Sequence, residues 1–240
     1  MKLHRFFIKE SFAQNPVHIA DAALARQLRS VLRLKAGDRI VLCDGRGQEA
    51  DATIQVLDAK GAEVSIGTPR RNMNEPSRRV ILYCALLKRE NFEWVAQKAV
   101  ETGVAEIVPI ITSRTVKQGI KSDRITTIIK EAAEQAGRGV LPSFGQALSL
   151  TEAFKAAKTS NHINLFCDLH GKGFGELLSG RANVLPNDPK VGVFIGPEGG
   201  WHEDEVAEAF THDLLVANLG KLTLRAETAA VVASYLAINA

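Results

Sequence analysis

From residue 80 onward the sequence alternates short apolar runs with amphipathic segments at helical spacing, and this alternation restricts the fold more than any other feature. Val80 to Leu87 is an apolar run, followed by a helical stretch from Glu90 to Thr102 that Gly103 ends. Glu106 to Ile111 predicts a second strand. A long helix over Ser122 to Ala136 turns Ile125, Ile128, Ile129, Ala132, Ala133 and Ala136 inward. Thr151 to Ala157 reads as a helix, Ile163 to Cys167 and Val191 to Ile195 as strands, and His202 to Phe210 as a helix with acids in its first turn. Leu214 to Ala217 is a last strand, and a small-residue helix runs from Arg225 to Ile238. Strands alternating with helices imply an α/β domain with a parallel sheet covered on both faces.

The first seventy residues follow a different pattern. His4 to Ile8 is a short strand, and Asp21 can cap a helix with apolar Ala22, Ala25, Leu28, Val31 and Leu32. Arg26, Arg29 and Arg33 recur at intervals of three and four, which places them on one helical face. Arg39 to Cys43, the turn Asp44-Gly45-Arg46-Gly47 and Glu49 to Leu57 predict a hairpin, and Glu63 to Gly67 a further strand. A small β-barrel with one helix, residues 1–70, is the economical reading. Pro69 to Arg79 is polar and holds four arginines; residues 71–79 read as a linker to an α/β domain over 80–240.

Composition narrows the function classes. At 45% hydrophobic residues the chain can bury a core, and no stretch approaches the roughly 18 apolar residues a membrane span needs. Met1 to Ile8 lacks the pattern of a secretory leader, and Cys43, Cys84 and Cys167 are widely spaced, so a reducing cytoplasm is expected. The six histidines have no metal-ligand spacing, and no metal is expected. Residues 1–138 carry 23 Lys and Arg against 16 Asp and Glu, whereas residues 139–240 carry 7 against 11. The front half is basic and the back acidic, which suits a polyanion-facing part joined to a part with another task, or scattered surface charge.

Ligands of open α/β sheets bind beyond the carboxyl ends of the strands. Three loops there are unusual. Ile195-Gly196-Pro197-Glu198-Gly199-Gly200-Trp201 lets backbone approach a ligand closely, or is a tight strand–helix turn. Asn218 to Ala230 places Leu219, Leu222 and Leu224 in a loop feeding a helix that starts with Arg225 and Glu227; the two charges could also form a capping salt bridge. Cys167 to Gly173 is the weakest of the three, its His170 more often the mark of an exposed loop than of catalysis.

The loops in this order, Ile195 to Trp201 and then Leu219-Gly-Lys-Leu-Thr-Leu-Arg-Ala-Glu-Thr-Ala229, resemble the signature of the SPOUT methyltransferases, and within them the 16S rRNA (uracil-N3) methyltransferases, the RsmE family. His4 to Phe7, Leu28 to Asp38, Gln97 to Val104 and Glu131 to Arg138 resemble further family segments, so the likeness spans essentially the whole chain. Ala226 and Thr102 depart from the usual residues at their positions.

The resemblance implies an N-terminal PUA-like RNA-binding barrel, a C-terminal SPOUT domain with a trefoil knot, and a homodimer. It also implies S-adenosylmethionine as cofactor, held by Leu169, Ile195, Gly196, Pro197, Glu198, Gly199, Gly200, Leu219, Gly220, Leu222, Leu224, Thr228 and Ala229. Arg225 is then expected to stabilise charge on the uracil, with Glu227 orienting it, contacting the base or capping the helix. RNA contacts are expected from Arg5, Arg26, Arg29, Arg33 and the linker arginines, and from Lys88, Arg89, Gln135 and Arg138 nearer the active site. The implied partner is 16S rRNA in the assembled small subunit. Three other readings stay open: ribose 2′-O methylation of another RNA, a non-enzymatic RNA-binding module, and a nucleotide-binding enzyme.

Overall fold

The computed structural model describes residues 3–115, 119–181 and 185–239. They cluster into two units, Met1–Glu75 with Ala133–Leu141, and Pro76–Ala132 with Pro142–Ala240.

The first unit is a six-stranded sheet. Strands β1 (Arg5–Phe7), β3 (Arg39–Cys43), β4 (Gln48–Leu57), β5 (Ala62–Ile66) and β2 (Val17–Ile19) lie in that order, with β6 (Arg70–Arg71) on β4. The expected hairpin pairs Cys43 with Glu49. Its turn closes on the Asp44 carboxylate, which accepts from the Arg46 and Gln48 amides at 2.7 and 3.0 Å. Alternate residues of β4 and β5, among them Ala52, Ile54, Val64 and Ile66, point into one core with Phe6, Leu28 and Leu42. Helix α1 (Ala22–Arg26) starts at Asp21, whose carboxylate accepts from the Ala23 and Leu24 amides.

Beyond α1 the structure departs from the simple helix expected. Gln27–Val31 widens into a π-helical turn, which carries Leu28 fully inside and leaves Val31 exposed. The Leu34 amide then bonds the Leu28 carbonyl at 2.8 Å, and Arg33 at φ 56° takes the left-handed position that ends the helix. Arg33 therefore leaves the ladder on which Arg26 and Arg29 remain.

Ala133–Leu141, which the sequence places inside the α/β stretch, belongs to this first unit. Its anchor is Arg138, 4% exposed, whose guanidinium meets the Glu75 carboxylate at 2.8 Å. Glu75 also accepts from the Gly139 and Val140 amides. Burial pushes the Glu75 carboxyl up, but the Arg138 and amide hydrogen bonds outweigh it and hold the group below the usual carboxylate range.

The second unit is a parallel sheet in the order β10 (Leu148–Ser149), β8 (Glu106–Ile111), β7 (Arg79–Ala85), β12 (Lys190–Ile195), β11 (Ile163–Gly173), β13 (Leu215–Asn218), with β9 (Ser143–Phe144) on β8. Its described helices are α2 (Arg89–Thr102), α3 (Ser122–Ala136, of which Ala133–Ala136 fall in the first unit), α4 (Leu150–Ser160), α5 (Phe174–Ser179), α6 (Glu203–Thr211) and α7 (Ala226–Asn239). Val80 to Ala85 and Val191 to Ile195 are buried throughout, as strands covered on both faces require. Strands β9 and β10 and the six-residue α5 are too short to leave a periodic signal. Strand β11 runs further than Cys167: Cys167 and Lys172 both register with Ala217, so the third loop is a four-residue excursion inside a strand. No helix among the described residues is long and apolar enough to cross a membrane.

Candidate active site

Strands β7, β12, β11 and β13 are consecutive in the sheet, and the chain beyond their carboxyl ends encloses a cavity of about 480 Å³. The parallel order thus brings together loops more than a hundred residues apart in sequence. Lys88 and Asn91 enter from the β7 side. Ile195, Gly196, Pro197, Glu198, Gly200 and Trp201 come from β12, and Cys167, Asp168 and Leu169 from the β11 excursion. Leu219, Leu222, Leu224, Arg225, Glu227 and Ala229 follow β13, with Thr223 and Ala226 between them.

Trp201 fixes the glycine loop. Its ring stacks on Phe166 at 4.2 Å between centroids, and its Nε1 donates to the Cys167 carbonyl at 2.8 Å. A Cβ on Gly196 would stand 2.9 Å from that ring, so only glycine lets the backbone cross it. Glu198 lines the cavity with its Oε1 turned to α2, accepting from the Lys88 amide at 3.1 Å and from Asn91 Nδ2 at 3.5 Å. Lys88 gives α2 no side-chain cap of its own, and a carboxylate at a helix N-terminus is favoured by the exposed amides and the dipole. On the outer side Arg114 donates to the Gly199 carbonyl at 2.6 Å. Glu205, buried in α6, takes the Ser113 amide on Oε1 and the His202 amide on Oε2, which ties the start of α6 to the chain after β8.

Leu169 and Leu222 are 56% and 78% exposed although large and apolar, and both border the cavity. Apolar side chains left open around a concave site are ordinarily covered by a ligand. Gly199, Gly220 and Thr228 stand back from the wall. Gly199 faces Arg114, and Gly220, at φ 123°, turns the chain after β13. Asn91, Asp168 and Trp201 join the wall without having been singled out as contacts; Asn91 sits in an ordinary helical pattern, and only its place at the helix start, one turn from Lys88, could have marked it.

Among the described residues the charged groups of the wall are two cations, Lys88 and Arg225, and three carboxylates, Asp168, Glu198 and Glu227. Arg225 and Glu227 do not pair among the described residues. Two positions apart at a helix start, they differ in their surroundings: Arg225 is exposed, whereas Glu227 Oε2 is buried and has no hydrogen-bond partner among the described residues. Asp168 is held by the His170 amide and ring. Burial pushes the Cys167 thiol up to about 12. Among the described residues no group of three or more His, Cys, Asp or Glu could hold a metal ion.

The residues expected to meet RNA have different surroundings. In the first unit Arg26, Arg29 and Ser30 border an open hollow of about 570 Å³. Arg5 is mostly buried, its guanidinium paired with Glu49 and 3.1 Å from Cys43 Sγ. Arg70 pairs with Glu49 and Asp51. Gln135 and Arg33 are exposed, and Arg138 is engaged by Glu75. In the second unit Arg89 pairs with Glu93 at 3.1 Å, and Arg78 donates to the Ala237 carbonyl.

A parallel sheet with a glycine-loop cavity at its carboxyl edge, following a small β unit, agrees with what similarity to known proteins gives. Residues 74–238 match an RNA methyltransferase domain and residues 28–67 an RNA methyltransferase PUA domain, so the class is that of PUA-bearing RNA methyltransferases. The ribosomal RNA small subunit methyltransferase E of Rickettsia conorii is 26% identical over 97% of this chain and 94% of its own. That of Synechocystis is 32% identical over 86% of this chain and 67% of its own. The crystal structure of the Neisseria gonorrhoeae enzyme of that name, bound to S-adenosylmethionine, superposes with a TM-score of 0.86 at 28% identity, covering 97% of this chain and 95% of that one. The chain belongs to the ribosomal RNA small subunit methyltransferase E family.

Proposed function

We propose that this chain transfers a methyl group from S-adenosylmethionine to N3 of one uridine in 16S rRNA, acting in the cytoplasm as a homodimer on the assembled small subunit. The observation that carries the reading is the cavity at four adjacent strand ends, with glycine backbone and open leucines on its wall and Arg225 at its edge. Its volume lies in the range of about 300–1,000 Å³ typical of small-molecule sites. The donor set fits the cofactor: leucines and Ile195 suit an adenosine, and the carboxylates of Asp168 and Glu198 suit a molecule carrying a sulfonium and an ammonium. S-adenosylmethionine, when bound, supplies a methyl group already activated by positive sulfur.

The remaining work falls to the protein's own residues. The N3–H of uracil lies between two carbonyls, so its loss spreads negative charge onto O2 and O4. Arg225, exposed at the cavity and in no ion pair among the described residues, offers its planar fork to that charge. Lys88 brings a second cation to the same wall, placed by the Glu198 hydrogen bond to its amide. Leu169, Leu222 and Leu224 exclude water from the reacting atoms. Arg26 and Arg29, and more weakly the exposed linker residues, attract phosphates without reading sequence. The test is incubation of small subunits lacking the modification with methyl-labelled cofactor. N3-methyluridine in their 16S rRNA is expected; a 2′-O-methyl nucleoside, or no label, contradicts the proposal.

A further inference from the structure

We infer that Glu227 is the base that takes the proton from uracil N3, with Oε2 as the accepting atom. The inference rests on the uridine-N3 reading above and deepens it. Three carboxylates line the cavity, and two of them are engaged. Asp168 Oδ1 accepts from the His170 amide at 2.9 Å and lies 3.0 Å from the His170 ring. Glu198 Oε1 accepts from the Lys88 amide and Asn91. Glu227 Oε2 is enclosed by protein and bonded to nothing among the described residues. A buried carboxylate oxygen without a donor is costly, and the cost is removed when a ligand brings an N–H to it.

The other groups of the wall are poorer acceptors. Among the described residues no histidine lines it, and the Cys167 thiol, pushed up to about 12 by burial, resists giving a thiolate. Lys88 and Arg225 are cations suited to the carbonyl oxygens rather than to the proton. Glu227 and Arg225 form no ion pair among the described residues, so each side chain is left to meet the substrate separately. Two positions of one helix start then serve opposite ends of the same event: Arg225 meets the charge that appears, and Glu227 takes the proton that leaves. The N3–H bond breaks with its proton passing to Glu227 Oε2, the N3 electron pair forms the bond to the methyl carbon, and the carbon–sulfur pair returns to sulfur, leaving a neutral thioether. Glu227 afterwards gives the proton to solvent.

The experiment compares wild type with Glu227→Gln and Glu227→Asp on two substrates: small subunits lacking the modification, and the same subunits with 5-fluorouridine in place of uridine. Fluorine makes N3–H a stronger acid and lessens the need for a base, without changing the shape presented to the carbonyl contacts. Removal of a general base costs about 10²–10⁴-fold. Glu227→Gln is therefore expected to lose a factor in that range in kcat on uridine subunits, to recover most of it on fluorouridine subunits, and to gain about tenfold per pH unit where hydroxide replaces the base. Cofactor affinity by calorimetry should stay within a few fold, which separates the effect from misfolding, and Glu227→Asp should retain intermediate activity. Wild-type turnover by Glu227→Gln, or an equal loss on both substrates, overturns the assignment. If wild type itself forms no N3-methyluridine, the uridine-N3 reading fails first, and this inference with it.

Discussion

Gly196 and Arg225 show how differently single residues serve the site. Gly196 is demanded by contact: the Trp201 ring lies where a Cβ would go, and Trp201 is held in turn by Phe166 and the Cys167 carbonyl. Gly196→Ala should displace the loop and weaken S-adenosylmethionine binding at least tenfold in calorimetry; unchanged affinity would show that the loop yields without cost. The Arg225 side chain is exposed and in no ion pair among the described residues, so its removal should be felt in chemistry. Arg225→Ala is expected to lower kcat by about 10²–10³-fold while cofactor affinity stays within a few fold, as for loss of one charge-stabilising donor. Normal turnover by that variant would remove Arg225 from the mechanism. The glycine, the leucines and the Arg–Glu pair were legible because each sits within a few residues of the others in sequence. The different surroundings of Arg225 and Glu227, and the hydrogen bonds of Glu198 to the start of α2, were not, because both depend on how a helix start sits against the cavity.

Among the elements, strands and long helices followed their apolar periods closely, since a parallel sheet buried on both faces admits little else. The first helix is the exception. Its pattern of apolar and arginine residues suits a straight helix through Leu32, yet burial of Leu28 in the core of the first unit favours a π-helical turn and a left-handed end at Arg33. The Glu75–Arg138 pair shows a second limit: 63 residues separate the partners, and nothing local marks Arg138 as buried. Because the Glu75 carboxyl is held below its ordinary value, its stabilisation is complete above about pH 4.3 and is lost as pH falls through the lower folded value. Glu75→Gln should cost roughly 2–3 kcal/mol at pH 7, discounted for the solvent that reaches part of Glu75. The gap from wild type should narrow as the pH falls from about 5 to 3 in denaturant titrations. A gap constant over that range would contradict the argument.

For the whole molecule the uneven charge acquires a meaning that the near-neutral total conceals. The basic front of the sequence includes the hollow bordered by Arg26 and Arg29, and the acidic back supplies much of a cavity suited to a cationic cofactor. Arg26→Ala with Arg29→Ala should weaken binding to small subunits and flatten its salt dependence while leaving cofactor affinity unchanged; an unaltered salt slope would remove them from the RNA surface. The proposed division of labour, donor in one unit and RNA grip in the other, presupposes methyl transfer to a uridine of 16S rRNA. The most direct measurement is nucleoside mass spectrometry of 16S rRNA after small subunits lacking the modification have been incubated with the protein and S-adenosylmethionine. A single N3-methyluridine, absent when the cofactor is withheld, is the result expected; a ribose-methylated nucleoside or unmodified RNA would contradict it.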